Sequence, residues 1–184
     1  MIIYKRRDFL KYTSLVSAGV AFPLTFKKEI QPLTKKSLKF GMIKEDLSLL
    51  DKFKLIKDLG YDGVELDSPN NLGEKEILDA RDKSGILLPG VVNSVHWKSP
   101  LSDPDPTVRA QCVESMKTAL RDCKKYGGST VLLVPAVVND KVSYAEAYSR
   151  SQAEIKKILP IAEETGIKIA IENVWNNFLL SPLE

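Results

Sequence analysis

From Leu38 onward the chain alternates between two kinds of stretch. Short apolar runs with period-two character give way to longer stretches with apolar residues three and four apart. The first kind predicts strands at Leu38–Lys44, Tyr61–Asp67, within Ile86–Trp97, at Thr130–Ala136 and at Ile167–Asn173. The second predicts helices over Leu49–Leu59, closed by Gly60, and over Glu74–Lys83, closed by Gly85. A loop over Lys98–Asp105 leads to a long helix, capped by Asp105 with Pro106 in its first turn and running to Gly127. Ser143 and Glu146, three apart, form a capping box for a further helix that Gly166 ends. Pro160 inside that helix should kink or divide it.

Strict strand–helix alternation implies an α/β fold with a parallel sheet covered by helices. An open doubly wound sheet would most often carry a glycine-rich phosphate loop after strand one. Here that strand runs into Lys44-Glu45-Asp46, so a dinucleotide site is not expected. The strands favour a closed barrel. Glu172 alternates with Ala170 and Lys168, opposite Ile167, Ile169 and Ile171; Glu65 alternates with Gly63, opposite Val64 and Leu66. His96 aligns with Ser94 and Val92. Apolar residues toward the helices, with polar groups inward at the C-terminal rim, is the layout of a (β/α)8 TIM-barrel active site.

A complete barrel takes about 250 residues. Residues 38–184 show five βα units, and Ser181-Pro182-Leu183-Glu184 reads as the start of another helix. The expectation is a partial barrel, truncated after about five units.

Charge separates the N-terminus from the rest. Residues 1–37 hold eight basic side chains against Asp8 and Glu29, whereas the remainder carries 19 basic and 22 acidic groups. A mildly acidic body argues against nucleic-acid binding, which needs a basic surface. Lys5-Arg6-Arg7-Asp8-Phe9-Leu10-Lys11 matches the twin-arginine export pattern, and the uncharged stretch from Tyr12 to Phe26 has the character of a signal's apolar region. That stretch is too short to span a bilayer, so no stable membrane insertion is expected. Residues 1–37 therefore read as a signal peptide and linker. They imply a bacterial source, the twin-arginine translocation machinery as a partner, and a periplasmic or exported location. Cys112 and Cys123 lie eleven apart in one predicted helix, roughly 16 Å along its axis, too far for a disulfide. The single histidine excludes a zinc site built on several histidines within this chain.

The run Ile171-Glu172-Asn173-Val174-Trp175-Asn176-Asn177-Phe178-Leu179-Leu180-Ser181-Pro182 resembles the end of strand five in the xylose isomerase-like TIM barrel superfamily, also called the sugar phosphate isomerase/epimerase family. Within it, the likeness is to the hexulose-6-phosphate isomerase and L-ribulose/L-xylulose-5-phosphate 3-epimerase group. Asp62-Gly63-Val64-Glu65-Leu66 and Val95-His96-Trp97 fit the same family. The resemblance implies a small-molecule sugar substrate and a divalent metal, Mn2+, Mg2+ or Zn2+, that polarises a ketose carbonyl. It makes Glu172 both metal ligand and acid/base. The family's other ligands, an Asp, a His and a second catalytic Glu, come from strands six to eight, beyond Glu184. This stretch alone is thus expected to bind metal weakly at best and to be inactive, the complete parent being the isomerase or epimerase. The resemblance also suggests substrate contacts from His96, Glu65, Asn176 and Trp97, while Trp175 and Phe178 are candidates for a sugar-pocket wall. Leu179 stands where the ketose 3-epimerase branch carries an acidic residue, which argues against a free ketohexose. Export in turn points to an unphosphorylated sugar or sugar derivative. Two alternatives are an exported, non-catalytic sugar-binding or interaction domain on the same scaffold, and a DNA-repair-type metal hydrolase. The acidic body, the export signal and the single histidine count against the hydrolase.

Overall fold

The computed structural model describes residues 34–181. The twin-arginine segment and residues 182–184 of the expected helix start lie outside the described residues.

Five parallel strands form one sheet in sequential order. They are β1 (Ser37–Lys39), β2 (Gly63–Ser68), β3 (Gly90–Asn93), β4 (Thr130–Leu133) and β5 (Lys168–Ile171). Helices α1 (Leu49–Asp58), α2 (Glu74–Ser84) and α3 (Pro106–Tyr126) connect successive strands; α4 (Tyr144–Lys156) and α5 (Leu159–Thr165) together connect β4 to β5.

The local signals act where they stand in the sequence. Ser48 caps α1 by accepting the Asp51 N–H, and Leu49, Phe53 and Ile56 form its buried stripe. Asp105 accepts from Thr107 N at 2.7 Å ahead of α3. Both hydrogen bonds of the Ser143–Glu146 capping box are made. Gly85, Gly127 and Gly166 end α2, α3 and α5 in the left-handed conformation. Pro160 divides its helix: it is the second residue of α5, after a break at Lys157–Ile158. Cys112 and Cys123 are both buried and unbridged in α3.

The first strand is shorter than expected. After Lys39 the backbone winds into a 3-10 turn over Phe40–Met42. In a strand, Phe40 and Ile43 would face opposite sides. Three residues apart on a 3-10 turn, they share one side. Ile43 is buried, and Phe40 meets Phe53 edge-on at a centroid distance of 6.1 Å, leaving Met42 to solvent.

The strand register sorts side chains into two faces. Leu38 pairs with Val64, Leu66 with Val91, Val91 with Val131, Val131 with Ile169 and Leu133 with Ile171. The first four of these pairs belong to the core between sheet and helices, centred on Phe53, Met116, Leu120 and Ile158. On the opposite face Lys39 pairs with Glu65, Asp67 with Val92, and Leu132 with Ala170. Gly90 pairs with Thr130, and the strands approach so closely there that a Cβ at Gly90 would sit 2.7 Å from the Thr130 carbonyl oxygen. Ile167 is buried on β5's approach, as expected, but Ile171 is 45% exposed, because no described helix covers the far end of β5.

Candidate active site

The inner face of the sheet carries its acidic groups at the C-terminal ends of the strands, with Lys168 at the start of β5. β1 contributes Lys39, and β2 contributes Glu65 and Asp67 two residues apart. Glu172 follows β5 directly, its N–H bonded to the Leu133 carbonyl at 3.0 Å, so the alternation through Lys168 and Ala170 carries it onto the same face. Lys39 and Asp67 form an ion pair at 3.2 Å. Glu65 is half-buried. Burial, and secondly the negative charge of Glu172, push its carboxyl above the usual carboxylate range, with Lys39 opposing. Glu65 and Glu172, from strands more than a hundred residues apart in sequence, thus share one electrostatic environment.

His96 reaches this rim by a different route from the expected one. β3 stops at Asn93 and does not continue through Ser94 to His96. Asn93 Oδ1 accepts the Val95 N–H at 2.9 Å and turns the backbone, while Ser94 Oγ donates to the Pro69 carbonyl. His96 then lies on the following turn, 3% exposed, with Nδ1 accepting the Val134 N–H at 3.4 Å. Burial chiefly, and then Lys39, push its imidazole down to about 4 against a weaker pull from Asp67. At neutral pH it is an uncharged acceptor, which ties the β3 loop to the end of β4.

The aromatic residues continue outward from His96. Trp97 packs edge-on against His96 at 5.3 Å and stacks on Trp175 at 5.5 Å, with the two indole planes 8° apart. Trp97 is 44% and Trp175 83% exposed. Asn176 is placed otherwise than a substrate contact at an open mouth. It is buried beneath the loops; Nδ2 donates to the Ala136 carbonyl at 2.6 Å, and its own carbonyl accepts the Val138 N–H. Its Oδ1 is buried without a hydrogen-bond partner. Phe178 is also buried, against Tyr144 and Tyr148 of α4. These contacts fix the β5 loop to the β4 loop beside Glu172.

Glu65, Glu172, His96 and Trp97 therefore gather at the rim, whereas Asn176 supports it from below. Lys39 and Asp67 were missed in the sequence. Asp67 was within reach of the same period-two rule that found Glu65; Lys39 was obscured by the early turn at Phe40. Among the described residues, no three His, Cys, Asp or Glu side chains converge so as to hold a metal ion. Glu172 is a suitable hard oxygen donor, but the described groups do not by themselves make the site that the resemblance implies.

The model of a family described as xylose isomerase-like TIM barrel matches residues 53–182. An L-ribulose-5-phosphate 3-epimerase, UlaE, of an Escherichia coli O157:H7 strain is 25% identical over 134 residues, covering 67% of this chain and 47% of the relative. The chain thus spans about half the length of the curated relatives it matches. In structure it is similar to the apo form of 3-keto-D-glucoside 4-epimerase, YcjR, from E. coli, with a TM-score of 0.67, 17% identity, and coverage of 78% of this chain and 57% of that one. It is also similar to D-psicose 3-epimerase from Clostridium cellulolyticum H10, with a TM-score of 0.63, 17% identity, and coverage of 78% and 54%. At these identities the structural likenesses show the fold.

Proposed function

The chain belongs to the xylose isomerase-like TIM barrel family, and we propose that it serves a sugar epimerase or isomerase reaction in which a proton moves at the carbon next to a ketose carbonyl. The observation that carries this reading is Glu172, which the alternation of β5 brings to the inner rim, where its charge acts on Glu65. The epimerase relatives support the reaction class.

In this mechanism the Glu172 carboxylate takes the proton from the carbon next to the carbonyl. The C–H electron pair moves into the C–C bond, and the carbonyl pair moves onto oxygen, giving an enediolate. Glu65, on the same inner face, serves as a further polar contact for the sugar; burial and the charge of Glu172 raise its carboxyl above the usual range. Returned by Glu172 to the neighbouring carbon, the proton gives the isomer; the epimer needs a proton on the same carbon from the opposite face, which the second catalytic glutamate implied by the resemblance would supply. Buried His96 and the Trp97 ring limit water on the β3 side. A divalent metal would polarise the carbonyl, as the resemblance implies, but the described residues do not form its site and no step here runs through it.

The Lys5–Lys11 segment, outside the described residues, supports export by the twin-arginine route and hence action on a periplasmic or external sugar.

The test is proton exchange. The chain is fused to the C-terminal βα units of a full-length epimerase relative, and loss of the ketose proton is followed in D2O by NMR. Glu172→Gln keeps the side chain's shape and removes the base. It should slow exchange at least about 10²-fold. Equal exchange with Gln and Glu at position 172 would overturn the assignment.

A further inference from the structure

We infer that Ser102 is a positioning residue for the proton transfer: its hydroxyl takes both backbone hydrogen-bonding groups of Val137 and, through the β4 loop, holds the segment that carries Glu172. The inference rests on the reading of Glu172 as the base.

Three observations carry it. First, the β4 loop is held as a central strand is held. Residues 134–138 follow the end of β4 and belong to no strand. Their backbone still directs its polar groups as extended chain does, one residue to one side and its neighbours to the other. Val137 turns both groups toward the β3 loop. There the Ser102 hydroxyl donates to the Val137 carbonyl at 3.0 Å and accepts the Val137 N–H at 2.9 Å. The Ala136 carbonyl and the Val138 N–H turn the other way, to the side chain and the backbone carbonyl of Asn176. A hydroxyl suits this place because a single oxygen both donates and accepts.

Second, these bonds reach Glu172. Its N–H is bonded to the Leu133 carbonyl at 3.0 Å, and Asn176, four residues on, is bonded to Ala136 and Val138. The segment from Glu172 to Asn176 is therefore tied at both ends to residues 133–138, and Ser102 grips the chain in the middle of the second tie. Past Asn176 the β5 loop is strained. Asn177 and Leu179 have φ of 56° and 51°, a left-handed conformation that a leucine keeps only where its surroundings impose it.

Third, Ser102 is itself fixed. It is 0% exposed, and Arg150 of α4 donates to its carbonyl at 3.2 Å. Arg109 of α3, paired with buried Glu154 at 3.0 Å, donates to the next two carbonyls, Asp103 at 2.7 Å and Pro104 at 3.0 Å. Two helices thus hold the β3 loop, so the Ser102 hydroxyl sets the position of the β4 loop instead of following it.

The two tryptophans of the chain flank these loops, Trp97 on the β3 loop and Trp175 next to Asn176. NMR cross-peaks between their indole protons therefore report the register of the loops in the full chain. Ser102→Ala should lose the cross-peaks, and Ser102→Thr, which keeps the hydroxyl, should retain them. Ser102→Cys, a weaker donor and acceptor, should fall between the two, and it replaces alanine in the comparison if that variant does not fold. Thr165→Ala removes a buried hydroxyl that bonds the Ile161 carbonyl within α5, ahead of β5, and should leave the cross-peaks unchanged. Proton exchange is then followed in the fused protein of the Glu172 test, at a temperature where circular dichroism shows each variant folded. Ser102→Ala should slow exchange about ten- to a hundredfold, and Ser102→Thr should restore most of it. Cross-peaks retained in the folded alanine or cysteine variant, an equal loss in Thr165→Ala, or lost cross-peaks with unchanged exchange would overturn the positioning role. Normal exchange in Glu172→Gln, with cross-peaks that still depend on Ser102, would instead overturn the base and leave the hold of Ser102 on the loops standing.

Discussion

Lowering the pH should loosen the rim through one group, His96. Its imidazole is neutral in the fold, with a pKa pushed down to about 4 mainly by burial, against about 6.5 in the unfolded chain. Between these values the unfolded chain binds a proton that the folded chain does not, so stability falls as the pH falls. The contribution is fully present above pH 6.5, is lost progressively below it, and levels off below pH 4. With about 1.4 kcal/mol per pKa unit, the loss at pH 5 is on the order of 1–2 kcal/mol. His96→Asn is the control: its Oδ1 takes the place of Nδ1 as acceptor for the Val134 N–H but does not titrate in this range. Urea unfolding at pH 7 and pH 5 should show the extra loss in the wild type and not in His96→Asn. Since the chain has one histidine, its imidazole proton resonance gives the folded pKa directly by NMR. Titration near 6.5, or equal losses of stability in the two proteins, would refute the coupling of His96 to the end of β4.

Two further predictions follow from other parts of the molecule. Gly90→Ala places a methyl group 2.7 Å from the Thr130 carbonyl oxygen, a backbone atom that cannot swing away, and should cost about 2 kcal/mol or more in urea unfolding; unchanged stability would mean that β3 and β4 are not so closely apposed. Replacing Arg6 and Arg7 with lysine should keep a folded reporter, fused after Ser37, in the cytoplasm, as read by cell fractionation; unchanged export would remove the twin-arginine assignment.

The sequence by itself determined what is local. Ser48, Asp105, Ser143 with Glu146, and the glycines at 85, 127 and 166 each act through a hydrogen bond or a backbone angle within a few residues, so the helices start and stop close to where those residues stand. Pro160 divides its helix because a missing N–H needs no tertiary context. Period-two alternation placed Glu65 and Glu172 inward, because one face of each strand must meet the helices. Only the tertiary structure decided the rest. β1 ends at Lys39 because Phe40 and Ile43 both gain burial against the α1 side of the core, a contact invisible in the strand's own pattern. His96 leaves the strand's alternation because Asn93 spends its side chain on turning the backbone. Asn176 supports the loops from below because the Ala136 carbonyl, forty residues away, lies under it. The Trp97–Trp175 stack and the influence of Glu172 on Glu65 join residues from different strands and loops. Such contacts depend on sheet register and loop path, so they exist only once the chain has folded.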